Sequence, residues 1–321
     1  MTSMVDQLDL LDHQLLFVTG KGGVGKTTVS AALALLAANR GKKALVCDVD
    51  ATGDLAGLFE TDPFRFKESE VMAGLWGMAM DTEASLREYL RLYLKIPVFG
   101  RIGALAKAFD FVATAAPGVR EILVVGKLCW EVRQGRWDIV IVDSPASGHI
   151  VGHLAAPQAI NDLVRTGLIR SQTGWMLEIL SDPSKTAACI VTTPEEMPVN
   201  ETLELATRLR SETTVALAGV MVNRVFPELF NTVEQEVFDA ICDPRCADEV
   251  ESSLGPQGAV VLEAAKLAVA MRRSKAAHLE HLRSGIDEAV PLLYLPYVFS
   301  HFHGLRMTRQ IAQLISEELG H

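Results

Sequence analysis

Aromatic residues make up only 6% of the 321-residue chain, which argues against stacking platforms for single-stranded nucleic acid. Positive charge is also short: 30 Lys and Arg face 40 Asp and Glu, a formal net charge of −10. A field of that sign does not hold nucleic acid, so none is expected as a partner. No apolar run approaches the roughly 18–20 residues that span a bilayer. The longest, Ala31–Ala38 and Val215–Val222, fit a buried helix and a buried strand instead. The opening stretch MTSMVDQLDLLD is acidic and lacks the basic start and apolar run of a secretory signal. The five cysteines (Cys47, Cys129, Cys189, Cys242 and Cys246) are odd in number and sit mostly in apolar segments. That usage predicts a reduced, cytoplasmic protein.

Hydrophobic residues, by contrast, supply 49% of the chain, enough for a large core in one α/β domain over residues 1–321 with insertions. Leu15–Thr19 reads as a short buried strand, followed by a glycine-rich stretch and a helix over Lys26–Arg40 that Gly41 caps. Further strand-like runs are Ala44–Asp48, Met78–Met80, Ile139–Val142, Ala187–Val191, Val215–Val222 and Pro291–Leu295. Helical patterns at Pro198–Arg210 and Arg306–Leu319 lie between or after them. Strand and helix in alternation predict a mostly parallel sheet covered on both faces. Two regions break the rhythm. Glu83–Gln134 holds three helical patterns with no convincing strand, and Pro157–Leu180 adds more helix. Together they predict a helical subdomain inserted into the α/β core.

The stretch Gly20-Lys21-Gly22-Gly23-Val24-Gly25-Lys26-Thr27-Thr28 satisfies G-x-x-x-x-G-K-[ST] between a strand and a helix. Glycines let backbone N–H groups turn inward around a phosphate, and the helix N-terminus adds a positive dipole end. The pattern predicts that Lys26 contacts the β- and γ-phosphates of a nucleoside triphosphate and that the Thr27 hydroxyl binds Mg²⁺. Lys21, a second lysine directly after the first glycine, marks the deviant form of this loop. Asp143 ends an apolar strand, where the second Mg²⁺ contact of such a site sits, usually through water. Asp48 and Asp50 both end the second strand, and either is placed to orient an attacking water; their spacing does not choose, because residues two apart in a strand share a face.

These residues resemble the arsenical pump-driving ATPase and tail-anchored-protein targeting ATPase family, within the wider class of deviant-loop dimeric ATPases that includes MinD and ParA. Phe17–Thr28 fits the loop, Leu45–Phe59 the first switch (D-P-A-H-x-L-x-x-x-F), and Asp143–His149 the second (D-T-A-P-T-G-H). Val191–Glu204 and Val222–Arg224 fit later segments. The resemblance implies a P-loop ATPase using ATP and Mg²⁺. Within it, Asp50 activates water, Asn223 reads the adenine, and the loop Pro296–Val298 covers the base. It also implies that Lys21 reaches across a dimer to the partner's phosphates, much as an arginine finger does. The partner is then a second copy or a paralogue. Two departures bear on coupling more than on nucleotide binding: Ala51-Thr52-Gly53 stands for P-A-H, and Ser-Pro-Ala-Ser for T-A-P-T.

Family resemblance further implies that the helical insertions of two subunits form an apolar surface that opens and closes with nucleotide state. Such a surface would handle an apolar client or drive a membrane partner, from the cytoplasm or the membrane periphery. Met72, Met78, Met80, Leu86–Leu94 and Ile102–Val112 are candidates for it, although apolar residues at helical spacing are more often core. A MinD- or ParA-like positioning dimer is the alternative. Against it, Ile311–Leu319 lacks the basic face of a membrane-surface helix. Cys242 and Cys246 lie roughly where the targeting ATPases carry a zinc C-x-x-C, but at C-x-x-x-C spacing, and two ordinary thiols are expected. Arsenite export is not expected, since no cysteine stands directly after the second switch, where the resemblance to the pump ATPases implies one. His149 belongs to that switch, while His301 and His303 are expected to line a loop.

Overall fold

The computed structural model describes residues 9–93, 118–164, 166–299 and 303–320. Among these, one sheet holds β1 (Leu15–Thr19), β2 (Ala44–Asp48), β3 (Ser69–Met72), β4 (Leu75–Ala79), β5 (Ile139–Asp143), β6 (Thr186–Thr192), β7 (Ala216–Val225) and β8 (Leu292–Pro296). Their spatial order is β3-β4-β2-β5-β1-β6-β7-β8. Every neighbouring pair is parallel except β3–β4.

β1, β2, β5 and β6 are buried along their whole lengths, as expected of parallel strands covered on both sides. Successive side chains alternate between two cores. Leu16, Val18, Val46, Ile141 and Val191 face α1 (Lys26–Asn39) and α10 (Gly304–Glu318). Leu15, Phe17, Leu45, Val140 and Ile190 face α4 (Val119–Arg133), α5 (Ser147–Leu163) and α7 (Glu196–Glu212). Helix α1 is apolar on all sides from Val29 to Ala37 apart from Ser30, because it is sandwiched between the sheet and α10. Each of its buried leucines contributes about 2 kcal/mol. Since the central strands are parallel, Thr19, Asp48, Asp143 and Thr192 all end on one edge of the sheet, the edge where open α/β sheets bind ligands.

The remaining helices are α2 (Asp54–Gly57), α3 (Thr82–Tyr93), α6 (Leu168–Leu180), α8 (Thr232–Ile241) and α9 (Ala247–Gly285). The last runs for 39 residues and kinks at Gly255, whose φ of 65 and ψ of −179 are not helical. On α4 itself, Glu131 is fully buried and bonded by Lys127 at 2.8 Å, Arg136 at 2.8 Å and the Trp137 indole at 2.9 Å.

Several expectations need correction. The third strand-like run covers Leu75–Ala79, so Met80 falls just beyond it, and the antiparallel edge strand β3 has no apolar pattern to announce it. The helix expected from Pro157 begins ten residues earlier, at Ser147, and carries Pro157 inside it. Met78 and Met80 are core residues, 0% and 6% exposed, and so are not available to an apolar docking surface. Ile102–Val112, Leu94 and the middle helical pattern of Glu83–Gln134 lie outside the described residues, as does His301.

Candidate functional site

The glycine-rich loop leaves the end of β1 and turns into α1. Gly20 has φ of +143, and a Cβ there would lie 2.1 Å from the Val191 carbonyl oxygen of neighbouring β6. Only glycine permits that approach. At the far end Gly25, with φ of +97, serves as the N-cap of α1, and a Cβ would meet the Asn223 amide nitrogen at 2.5 Å. Between them Gly22 and Gly23 face open space. The loop is therefore pinned at both ends and open in the middle, as a phosphate cradle requires.

Lys26, the first residue of α1, bends its ammonium back to the Lys21 carbonyl at 3.2 Å. Burial lowers its pKa, against the opposing pull of Asp143, Asp50 and Glu201. One turn of helix brings two hydroxyls to a single acid: Ser30 Oγ donates to the buried Asp143 at 3.1 Å, and Thr27 lies near enough to the same carboxyl to lower its pKa. Burial pushes Asp143 up to about 6, in spite of those two hydroxyls and with the Asp48 charge adding to the rise. A hydroxyl and a carboxylate in contact are a hard-oxygen donor pair that suits Mg²⁺. Thr28, the residue after Thr27, is half-buried.

Asp48 and Asp50 differ sharply. Asp48, 3% exposed and directly opposite Asp143 in the β2–β5 register, accepts the Ala51 N–H at 2.8 Å and the Gly53 N–H at 3.3 Å. Burial raises its pKa against those two bonds. It is committed to holding the turn at Ala51–Gly53. Asp50 is exposed and acts electrostatically on Lys26. The next residue, Ala51, has φ of +53, a value closed to proline, whose ring holds φ near −65°. The departure from P-A-H thus belongs to a turn that the family pattern could not adopt.

Asn223, near the end of β7, donates to the Val24 carbonyl at 2.8 Å and accepts the Arg224 N–H at 2.9 Å. It ties β7 to the loop. Pro296 closes β8 opposite Val225. Beyond it, Tyr297 stacks on Phe226 with centroids 5.2 Å apart and packs against Phe299 at 4.6 Å. The sequence offered no signal for Phe226 as part of this aromatic group.

Three further residues also went unassigned: Ser30, Ser147 and Glu201. Glu201, on the second turn of α7, pairs with the Lys21 ammonium at 2.8 Å and accepts the Ser147 hydroxyl. Burial alone would raise its pKa, but those two partners bring it below the ordinary glutamate value. Ser30 lies one helical turn past Lys26, which no motif records. Cys242 caps the end of α8 and Cys246 precedes α9; both are half-buried free thiols. No helix among the described residues is long and apolar enough to cross a membrane.

Known proteins are similar to this chain in sequence. The profile of the anion-transporting ATPase family matches residues 13–176 and 169–245, together more than half of the chain. Mycobacterium tuberculosis has a relative, the ATPase BagA, that is 34% identical over 225 residues, 67% of this chain and 66% of its own. The ATPase get3 of Neurospora crassa is 27% identical over 214 residues, 65% of this chain and 60% of its own. The ATPase ASNA1 homolog of Leishmania infantum is 32% identical over 182 residues, 46% and 44% respectively. The chain thus spans less than two thirds of the length of each of these relatives.

Proposed function

Because the chain belongs to the anion-transporting ATPase family, we propose that it hydrolyses ATP with Mg²⁺ as a dimer of two copies and uses the cycle to change shape. The observation that carries this reading is the Ser30 bond to Asp143, with Thr27 near the same carboxyl, beneath a loop pinned open by Gly20 and Gly25. Thr27 and Asp143 would hold Mg²⁺, which supplies charge neutralisation between the β- and γ-phosphates.

The N–H groups of Gly22–Lys26 then bind phosphate oxygens, and Lys26 leaves the Lys21 carbonyl to neutralise the γ-phosphate. Asp50, exposed beside Lys26, orients the water whose oxygen bonds to the γ-phosphorus as the bond to ADP breaks. Asn223 and the Pro296 segment receive the adenine. Lys21 supplies its charge to the site of the partner subunit.

A soluble role in handling an apolar client, or in driving a membrane protein, is the use proposed for that cycle. Its support is a cavity of about 270 Å³ between α3, α4, α5 and α6, lined by Tyr89, Ile122, Trp130, Ile160, Trp175 and Met176. We propose that these helices act together as an inserted subdomain. Measuring phosphate release and nucleotide binding for Asp50→Asn tests the chemistry. The variant is expected to bind ATP as the parent does and to lose turnover by about 10²-fold or more. Unchanged turnover would remove Asp50 from the reaction.

A further inference from the structure

Four residues from three elements close a ring around the start of the loop. The Ser147 N–H, at the first turn of α5, donates to the Gly20 carbonyl at 3.1 Å. The Ser147 hydroxyl donates to Glu201 on α7, and the other Glu201 oxygen pairs with the Lys21 ammonium at 2.8 Å. Lys21 is chained to Gly20 by the backbone. The ring joins the phosphate loop, the second switch and α7, and each of the two charged side chains is 31% exposed.

The second lysine of the loop therefore does not point to solvent when the subunit is alone. Its charge is already matched, within the same chain, by a carboxylate whose field also reaches Lys26. A triphosphate brings several negative charges to the same place. It attracts both lysines and repels Glu201, so nucleotide and the Lys21–Glu201 pair cannot both be at their best. The partial exposure of the pair keeps it weak enough to exchange.

We infer that Glu201 is a positioning residue: it holds Lys21 in its own subunit until nucleotide and a partner subunit draw the lysine away. This rests on the cross-dimer role of Lys21 proposed above. Release of Lys21 frees Glu201, and with it the Ser147 hydroxyl, so that engagement of the lysine is reported directly to the second switch. The lone subunit thereby keeps its lysine from serving its own site.

Two measurements on the full chain test the latch separately from the role of Lys21. The first is the rate at which an acylating reagent labels Lys21 in nucleotide-free protein, followed by mass spectrometry. Glu201→Gln keeps the shape and an acceptor for Ser147 but removes the charge; it is expected to speed labelling about two- to five-fold, the equilibrium worth of a half-exposed ion pair. Equal labelling rates would overturn the latch whatever Lys21 does in catalysis.

The second is ATP turnover at low protein concentration. Glu201→Gln is expected to raise it by a similar factor of about two to five, and to have no effect once Lys21→Ala is present, because the two substitutions act through one contact. A Glu201→Gln effect that persists in the Lys21→Ala background overturns the latch. If Lys21→Ala alone leaves turnover unchanged, the cross-dimer role falls, and the labelling result still decides whether the latch exists.

Discussion

Asp143 allows a quantitative test that needs neither nucleotide nor metal. Burial raises its pKa from 3.8 to about 6 in the folded chain. Between those values the folded state binds more protons than the unfolded one, so stability falls as pH rises through that window and stays reduced above it. The shift of about 2 units corresponds to roughly 3 kcal/mol of lost stability at neutral pH. Asp143→Asn keeps an acceptor for Thr27 and Ser30 and removes the buried charge. Urea unfolding in the presence of a chelator should therefore show the variant more stable by about 3 kcal/mol near pH 7.5, with the advantage gone near pH 4. Melting temperature should rise by roughly 5 °C in the neutral sample. An advantage that is absent at neutral pH, or equal at both pH values, would refute the claim that Asp143 is held as a desolvated acid. The same variant should fail to bind Mg²⁺ with nucleotide, so the acid trades stability for function.

Other substitutions read the rest of the structure. Gly20→Ala forces a Cβ to 2.1 Å from the Val191 carbonyl and should abolish nucleotide binding and lower the melting temperature. Gly22→Ala, which meets nothing within 4 Å, should fold normally; equal melting of the two variants would contradict the pinned-end description. Glu131→Ala leaves Arg136 and the Trp137 indole without their buried acceptor, and equilibrium unfolding should show a loss of about 3–5 kcal/mol. Asp48→Ala frees the Ala51 and Gly53 N–H groups and should accelerate proteolysis of the turn at Ala51–Gly53 in nucleotide-free protein, whereas Asp50→Asn should leave proteolysis unchanged.

The phosphate loop was legible because its glycines, lysines and hydroxyl stand in one short stretch whose spacing is itself the geometry. Strands β1, β2, β5 and β6 were legible as apolar runs because both faces of a parallel sheet are covered. What escaped was set by contacts between distant residues. Spacing could not separate Asp48 from Asp50; the turn at Ala51 does, by burying one carboxylate under two N–H groups and leaving the other outside. Strand β3 has an exposed, polar start and depends on β4 for its existence. Pro157 suggested a helix start, yet α5 runs through it because the flanking Val151, Leu154 and Ala156 are buried. The Met78 and Met80 side chains point into the core because β4 and the residue after it lie against α4. Glu201 meets Lys21 across 180 positions of chain, a contact that only the fold creates.

Subunit complementation tests the central claim most directly. Lys21→Ala and Asp50→Asn proteins should each be inactive alone as homodimers. When they are mixed, half of the dimers carry one of each, and in those one site has its own Asp50 and receives Lys21 from the other subunit. Turnover should return to roughly a quarter of the unsubstituted level per subunit. A mixture as inactive as its two components would contradict a dimeric ATPase of two copies whose sites are completed across the interface.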